Sequence, residues 1–563
     1  MPRFITLLSG LALGLGLAGI APGRASGQWL EVRVGDRPIL DTAMVEAGRA
    51  VYEERCWFCH GEDGDGDGPV APYLWPRPRD FLMASFKLRT TASGELPLDE
   101  DLYRTITRGI PGTSMPEWGS TLTEEERWQV IAYIKSFAAD LFEDEVFDPY
   151  QQIVERGDPP RGGAEGILES GRRVFEEADC WECHGAAARG EGEKGPELTD
   201  DSDFPIWPTN LTRGWKFRGG NSVEDVYMRI TTGLDGTPMP SYSETLSEEE
   251  RWQVAQYVAS LDPEGGGRNT EVVISALRVD GELPTELDDP AWEGAPEVSI
   301  PLTGQATFAP RWQVPAVTDI SVQVLYNADE VALRLAWDDR LADTLAADSA
   351  RAAKEGWSAD DTYPVLYRDG FRARGFFPDA VEVMIPLRHG VSRVLPHMVY
   401  GSSGQPVDLW RWEADLQYDP DHPQPVTELR AGGTQHPPEA HALESQLATG
   451  AGDWQDGRWT VIIRRPLSTD HGAREVQLES GQIVPIAFHV WDGGNGETGL
   501  RMALSSWYFV YLREPIPLTS YFVVLLSVVI ACVFQLGLVV WMRSRARRGL
   551  LLEYGIGSSK MSE

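Results

Sequence analysis

Two pentapeptides, CWFCH at 56–60 and CWECH at 180–184, hold four of the five cysteines in this 563-residue chain. C-x-x-C-H is the attachment signature of c-type haem: two thiols add to the porphyrin vinyl groups, and the adjacent histidine is presented to the iron. On this reading Cys56 and Cys59 anchor one haem c with His60 as axial ligand, and Cys180 and Cys183 anchor a second with His184. A disulfide or half of a zinc site would use the same cysteines in an exported chain. The sequence repeat favours haem. TEEERWQV at 123–130 returns as SEEERWQV at 247–254, an offset of 124 that also relates Cys56 to Cys180 and Met115 to Met239. Each histidine is followed 55 residues later by a methionine in the same setting, GTSMP (112–116) or GTPMP (236–240). A thioether suits haem iron and raises its potential when paired with histidine, so Met115 and Met239 are the expected sixth ligands.

Helices must position these groups. DTAMVEAGRAVYEER and ILESGRRVFEEAD lead into the two motifs, with Tyr52 and Phe175 as packing residues. The closing helices open on capping boxes, Thr123 with Glu126 and Ser247 with Glu250. They then present Trp128, Ile131, Ile134 and Trp252, Ala255, Val258 at helical spacing. Between histidine and methionine, PRPRDFLMASFKLRT and PTNLTRGWKFRGG place Arg89 and Arg218 at near-equivalent positions, where guanidinium forks would suit haem propionates. GEDGDGDGP spaces Asp63, Asp65 and Asp67 as a calcium loop does, but Leu74 stands where such a loop needs glutamate, and the second copy lacks the aspartates. The expectation there is an acidic loop without a metal.

These features, over roughly residues 40–264, resemble the class I cytochrome c family in tandem. The resemblance implies two small all-α domains, at 40–142 and 160–264, each holding one six-coordinate haem with an exposed edge for electron transfer.

A glycine-rich linker around 262–269 ends the helical pattern. SVQVLYNADEVALRLAWDD (321–339) is a hairpin around Asn327, Ala328 and Asp329, and DAVEVMIPL, RWTVIIRRPL, IVPIAFHVWDG and SSWYFVYL read as further strands. Seven or more short strands predict an antiparallel β-sandwich over 268–513. The succession YNADEVALRLAWDD, FPDAVEVMIPL, GQPVDLWRW, GRWTVIIRRPL, FHVWDGGNGETG and LSSWYFVYL is similar to the haem-binding domain of the ethylbenzene dehydrogenase gamma-subunit family. That resemblance implies a third, non-covalent haem b in an electron-transfer subunit of a molybdoenzyme, partnered by a catalytic and an iron–sulfur subunit.

The family's axial ligands are a methionine just before a glycine and a lysine just before the last strand. Here Tyr400 precedes Gly401, Met502 occupies the lysine position, and Lys354 is the domain's single lysine. The candidate ligands for haem b are therefore Met398 or His397 on one side and Met502 on the other. The competing reading makes both methionines core residues of a haem-free binding module, for a ligand such as carbohydrate. His389, His422, His436, His441, His471 and His489 show no metal-ligand spacing.

Acidic residues outnumber basic ones 86 to 50, a formal charge of −36 that excludes nucleic acid and favours basic partners. Residues 1–26 read as an export signal. Leu518 to Met542 carries no charge over 25 residues and is followed by Arg543, Arg545, Arg547 and Arg548, the pattern of one transmembrane helix with the tail, 543–563, in the cytoplasm. The expectation is a membrane-anchored, periplasm-facing cytochrome without catalytic residues, passing electrons between its enzyme partner and a soluble or membrane redox partner. A dihaem enzyme such as a peroxidase is the reading from another class.

Overall fold

The computed structural model describes residues 28–554, apart from 75, 145–147, 161–163, 204–205, 263–270, 314, 345–364, 367–372, 375–376, 389–393, 419–423 and 515–517. The expected export signal, nearly all of the linker, Lys354, His389, His422 and the end of the tail lie outside the described residues.

Each helical module is framed by three main helices: α1 (Thr42–Arg55), α2 (Asp99–Arg108) and α3 (Glu124–Ser136) in the first, α4 (Ala164–Glu177), α5 (Val223–Thr232) and α6 (Glu248–Ser260) in the second. Both predicted capping boxes form at the starts of α3 and α6. The first and last helices of a module cross in backbone contact. A β-carbon on Gly48 would lie 1.9 Å from the Gln129 carbonyl oxygen, and one on Gly171 would lie 2.2 Å from that of Gln253. One turn further along, Tyr52 and Phe175 are buried as predicted. Tyr103 stacks on Trp128 at 4.5 Å in one module and Tyr227 on Trp252 at 3.9 Å in the other. The second module carries one extra residue before its haem motif. Asp179 takes it up with a φ of 53°, so the offset shortens by one upstream.

Three contacts lock the modules together. Trp29 is fully buried between them: its backbone N–H donates to Asp225, and its indole N–H to Thr105. The Arg89 guanidinium donates to the Thr232 carbonyl and to Asp235, and Arg229 donates to the Arg89 carbonyl.

Beyond the linker, the described residues form eleven strands of four or more residues: β1 (Val273–Arg278), β2 (Val298–Pro301), β3 (Asp319–Tyr326), β4 (Glu330–Asp338), β5 (Ala380–Pro386), β6 (Val407–Glu413), β7 (Val426–Ala431), β8 (Thr449–Gln455), β9 (Arg458–Pro466), β10 (Ile483–Trp491) and β11 (Tyr508–Leu512). They pair in the order β7-β6-β5-β10-β11-β1-β3-β4-β9-β8, with β2 added to β3. The predicted hairpin is β3 and β4, with Tyr326 opposite Val331. The pairing is not antiparallel throughout: β1 runs parallel to both β11 and β3. It enters from the linker and not through a hairpin, so no tight turn imposes the opposite direction.

The two ends of this path meet across one apolar core. Trp412 of β6 packs on Trp459 of β9 at 5.0 Å and on Trp337 of β4 at 6.3 Å. Gly452 of β8 makes room, since a β-carbon there would lie 2.4 Å from the Trp412 ring. A second apolar cluster covers the opposite faces of β5, β6, β7 and β10. After the sheet comes one helix, Leu518–Tyr554; its segment Leu525–Ala546 is long and apolar enough to cross a membrane.

Candidate haem sites

Cys56 and Cys180 cap the starts of short helices, Trp57–His60 and Trp181–His184, and Cys59 and Cys183 lie within them, all four as free thiols. Burial pushes the Cys56 thiol up to about 12 and that of Cys180 up to about 11, which disfavours the thiolates a zinc site would require. His60 Nδ1 lies 3.1 Å from the Arg79 carbonyl oxygen and His184 Nδ1 lies 3.0 Å from that of Thr209. If each ring donates its Nδ1 proton there, Nε2 is left as the ligand atom, with the ring's orientation held from behind. Burial lowers the pKa of both imidazoles and so keeps them in the neutral, ligating form.

The methionine turns are copies of one another in detail. The Met115 backbone N–H donates to the Thr113 hydroxyl and its carbonyl accepts from Ile110; Met239 makes the same bonds with Thr237 and Leu234. Both turns begin at a glycine with positive φ, Gly109 at 67° and Gly233 at 66°. A β-carbon on Gly109 would lie 2.4 Å from the Pro116 carbonyl carbon.

Cys56, Cys59, His60 and Met115 line a cavity of about 1070 Å³, and so do Cys180, Cys183, His184 and Met239. It is one continuous space, closed on a further side by Leu302, Val317, Asp339 and other residues of the sheet domain. Phe86, Leu102, Ile134, Val254 and Val258 contribute apolar wall.

Of the two arginines expected near propionates, Arg218 lines the cavity and Arg89 does not. The Arg89 guanidinium is held in the module interface by Asp235 and by backbone carbonyls, a use that the motif spacing could not reveal. Arg79 and Lys87, missed in the sequence, are among the other cations on the cavity wall. Lys87 is pushed down to about 8 by burial and by the like charges of Arg79 and Arg218. The cavity wall thus carries a cluster of positive charge, and carboxylates placed there would relieve its repulsion. The donor set, the apolar wall and this cluster fit two covalently held haems. The only advance signal for Lys87 was its place in FKLR, matched by WKFR in the second copy.

The candidate ligands of the third site lie apart from this cavity. Met502 is fully buried in the second apolar cluster of the sheet domain, and Met398 packs against the same cluster. His397 is exposed, and its Nδ1 accepts the Val399 backbone N–H. Tyr400 is buried with a φ of 57°, and its hydroxyl accepts from Arg411, which pairs with Glu382, which in turn bonds His489. The position where the family has a ligand is thus occupied by the start of a buried polar network. Met398 and Met502 thus belong to one packed apolar cluster, and His397 stands exposed beside it.

Two family models match the chain in succession. One, described as cytochrome c oxidase, cbb3-type, subunit III, matches residues 43–134 and again 167–258; the other, described as ethylbenzene dehydrogenase, matches 289–435 and 438–503. The chain is a tandem cytochrome c joined to an ethylbenzene dehydrogenase-type domain. This fused cytochrome is 26% identical to a protein of Haloferax mediterranei named as a respiratory nitrate reductase haem subunit, over 40% of this chain and 68% of that one. It is 25% identical to the chlorate reductase gamma subunit of Ideonella dechloratans, over 44% of this chain and 89% of that one. Among solved structures, a chain of the Kuenenia stuttgartiensis reducing HAO-like protein complex is 47% identical, covering 38% of this chain and 96% of that one with a TM-score of 0.36.

Proposed function

We propose that the fused cytochrome is the electron-transfer subunit of an exported, membrane-tethered oxidoreductase complex, carrying electrons between a molybdoenzyme with its iron–sulfur subunit and the respiratory chain. Haem c, when bound, supplies reversible one-electron chemistry. The observation that carries the reading is the shared cavity: both cysteine pairs, both histidine–methionine pairs and one flank of the sheet domain line one space. A relay needs its redox groups close together and shielded from water, and that arrangement provides both. The cysteines anchor, the Arg79 and Thr209 carbonyls orient the imidazoles, and the glycine-hinged turns present Met115 and Met239. Arg79, Lys87 and Arg218 hold propionate carboxylates. With two protein ligands per iron, neither site leaves a position open for substrate, which argues against a peroxidase.

On this proposal 40–142 and 160–264 are the two cytochrome c domains, 268–513 is a β-sandwich, and a b haem there is held by Met398 and Met502. The large cavity does not reach those residues, so haem entry requires the packed cluster around them to part. The names of the nitrate and chlorate reductase relatives support the molybdoenzyme partner. The apolar helix followed by four arginines supports a membrane anchor with the haem domains on the periplasmic side.

The test is a pyridine haemochrome assay on chain purified from gently solubilised membranes, with identification of what co-purifies. Two c haems, one b haem and a molybdenum-containing partner are expected. Two c haems without a b signal would defeat the third site alone. A c haem that turns high-spin and reacts with peroxide would overturn the carrier assignment.

A further inference from the structure

Four carboxylates converge inside the sheet domain; Asp339 and Asp492 border the haem cavity, and none of the four is among the haem ligands assigned above. Asp339 follows β4, Asp343 lies four residues on, Asp379 precedes β5, and Asp492 follows β10. All four are buried, and one oxygen from each lies within 4.8 Å of the others. Backbone and indole N–H groups hold three of them in place. Asp379 accepts from the Asp343 and Gly493 backbone N–H groups and from the Trp459 indole; Asp343 accepts from the Gly494 N–H and Asp492 from that of Asn495.

Asp339 differs. It is 3% exposed, and its Oδ2 has no hydrogen-bond partner. The Trp337 indole N–H faces its carboxylate without reaching hydrogen-bond geometry. Among the described residues neither Asp339 nor Asp379 is paired with a lysine or arginine. An unpartnered carboxylate oxygen at this depth costs several kcal/mol unless a cation meets it.

We propose that Asp339, Asp343, Asp379 and Asp492 form a structural calcium site. The donors are all oxygen, which selects a hard cation over zinc or copper. Calcium takes six to eight oxygen ligands at about 2.3–2.6 Å and accepts several carboxylates in irregular geometry, whereas magnesium keeps most of its waters and is usually held by one or two carboxylates, so a buried group of four favours calcium.

The site's position suggests its role. Asp339 sits between Asp338, which binds Asn210 and Arg213 of the second module at 2.9 Å, and Arg340, whose guanidinium lies over Trp207 of that module at 4.5 Å. The cation therefore fixes the segment by which the sheet domain grips the second haem module.

The test uses full-length holoprotein in detergent, purified without chelator. Plasma mass spectrometry is expected to find close to one calcium per chain. After chelation, Ca²⁺ or luminescent Tb³⁺ should refill one site, and Ca²⁺ should raise Tm by several degrees while millimolar Mg²⁺ does not. Asp339→Asn removes the unpartnered anionic oxygen while keeping side-chain shape, and should weaken calcium binding roughly 100-fold. Substoichiometric calcium with no response of Tm to the added ion would overturn the proposal. So would equal uptake by wild type and Asp339→Asn, since the ion would then sit elsewhere. Should Asp339→Asn fail to fold, the wild-type titration still decides.

Discussion

The guanidinium of Arg89, in the first haem module, stands 2.8 Å from a carboxylate oxygen of Asp235, in the second, and is wholly shielded from solvent. Removing one partner of such a pair typically costs about 3–5 kcal/mol. Asp235 keeps a backbone N–H donor from Gly94, so Arg89→Ala should fall at the lower end, near 3 kcal/mol. Because Arg89 lies outside the cavity, the optical spectra of both haems should hold at low denaturant while the unfolding midpoint drops. A changed haem spectrum with an unchanged midpoint would instead make Arg89 a haem contact.

Two glycines of the first methionine turn separate strain from collision. Gly109 and Gly112 both have positive φ, 67° and 72°, but a β-carbon meets Pro116 at 2.4 Å on Gly109 and nothing within 4 Å on Gly112. Gly112→Ala should cost about 1 kcal/mol and keep Met115 on the iron. Gly109→Ala must displace the turn, and the methionine–iron charge-transfer band of one haem should disappear while the other haem is untouched.

The grip of the sheet domain on the second module depends on pH through Asp338. Burial by itself would push this carboxyl up, but Arg458 and Arg213 outweigh it and hold it at about 2. A carboxyl depressed in the folded state contributes stability that is fully present above the unfolded value of 3.8 and is lost as pH falls through about 2. The contribution is about 2 kcal/mol. Asp338→Asn should remove it at neutral pH and flatten the acid limb of a stability–pH profile between pH 4 and 2.

Lys87 faces the cavity beside Arg79 and Arg218. Lys87→Gln removes a positive charge near the haem carboxylates, which stabilises oxidised iron. Spectroelectrochemical titration should show the nearer haem lowered by on the order of tens of millivolts. No shift would mean that Lys87 points at water and not at a propionate.

Much of the haem chemistry was legible because it is local. C-x-x-C-H, the Gly-Thr-x-Met-Pro turn and the capping boxes each span a few residues, and the repeat doubles every signal, so His60, Met115, His184 and Met239 could be chosen from spacing alone. The propionate cations could not. Arg89 and Lys87 are two residues apart on one extended segment, and only the docking of the second module decides that the arginine turns to Asp235 and the lysine to the cavity.

Calcium shows the same division. Calcium-like spacing in the sequence falls on Asp63 to Asp67, while the candidate site proposed from the structure draws on residues 339, 343, 379 and 492, separated by up to 153 positions. The sequence by itself determined which cysteines, histidines and methionines are the haem-binding candidates, much of the helix and strand order, and that one apolar helix follows the sheet, because these rest on short periodicities and neighbouring residues. Tertiary structure alone decided that two haem sites share one cavity, that β1 runs parallel, and that four distant aspartates meet. Those facts depend on how burial of separate apolar faces brings remote backbone together, and no local pattern records that.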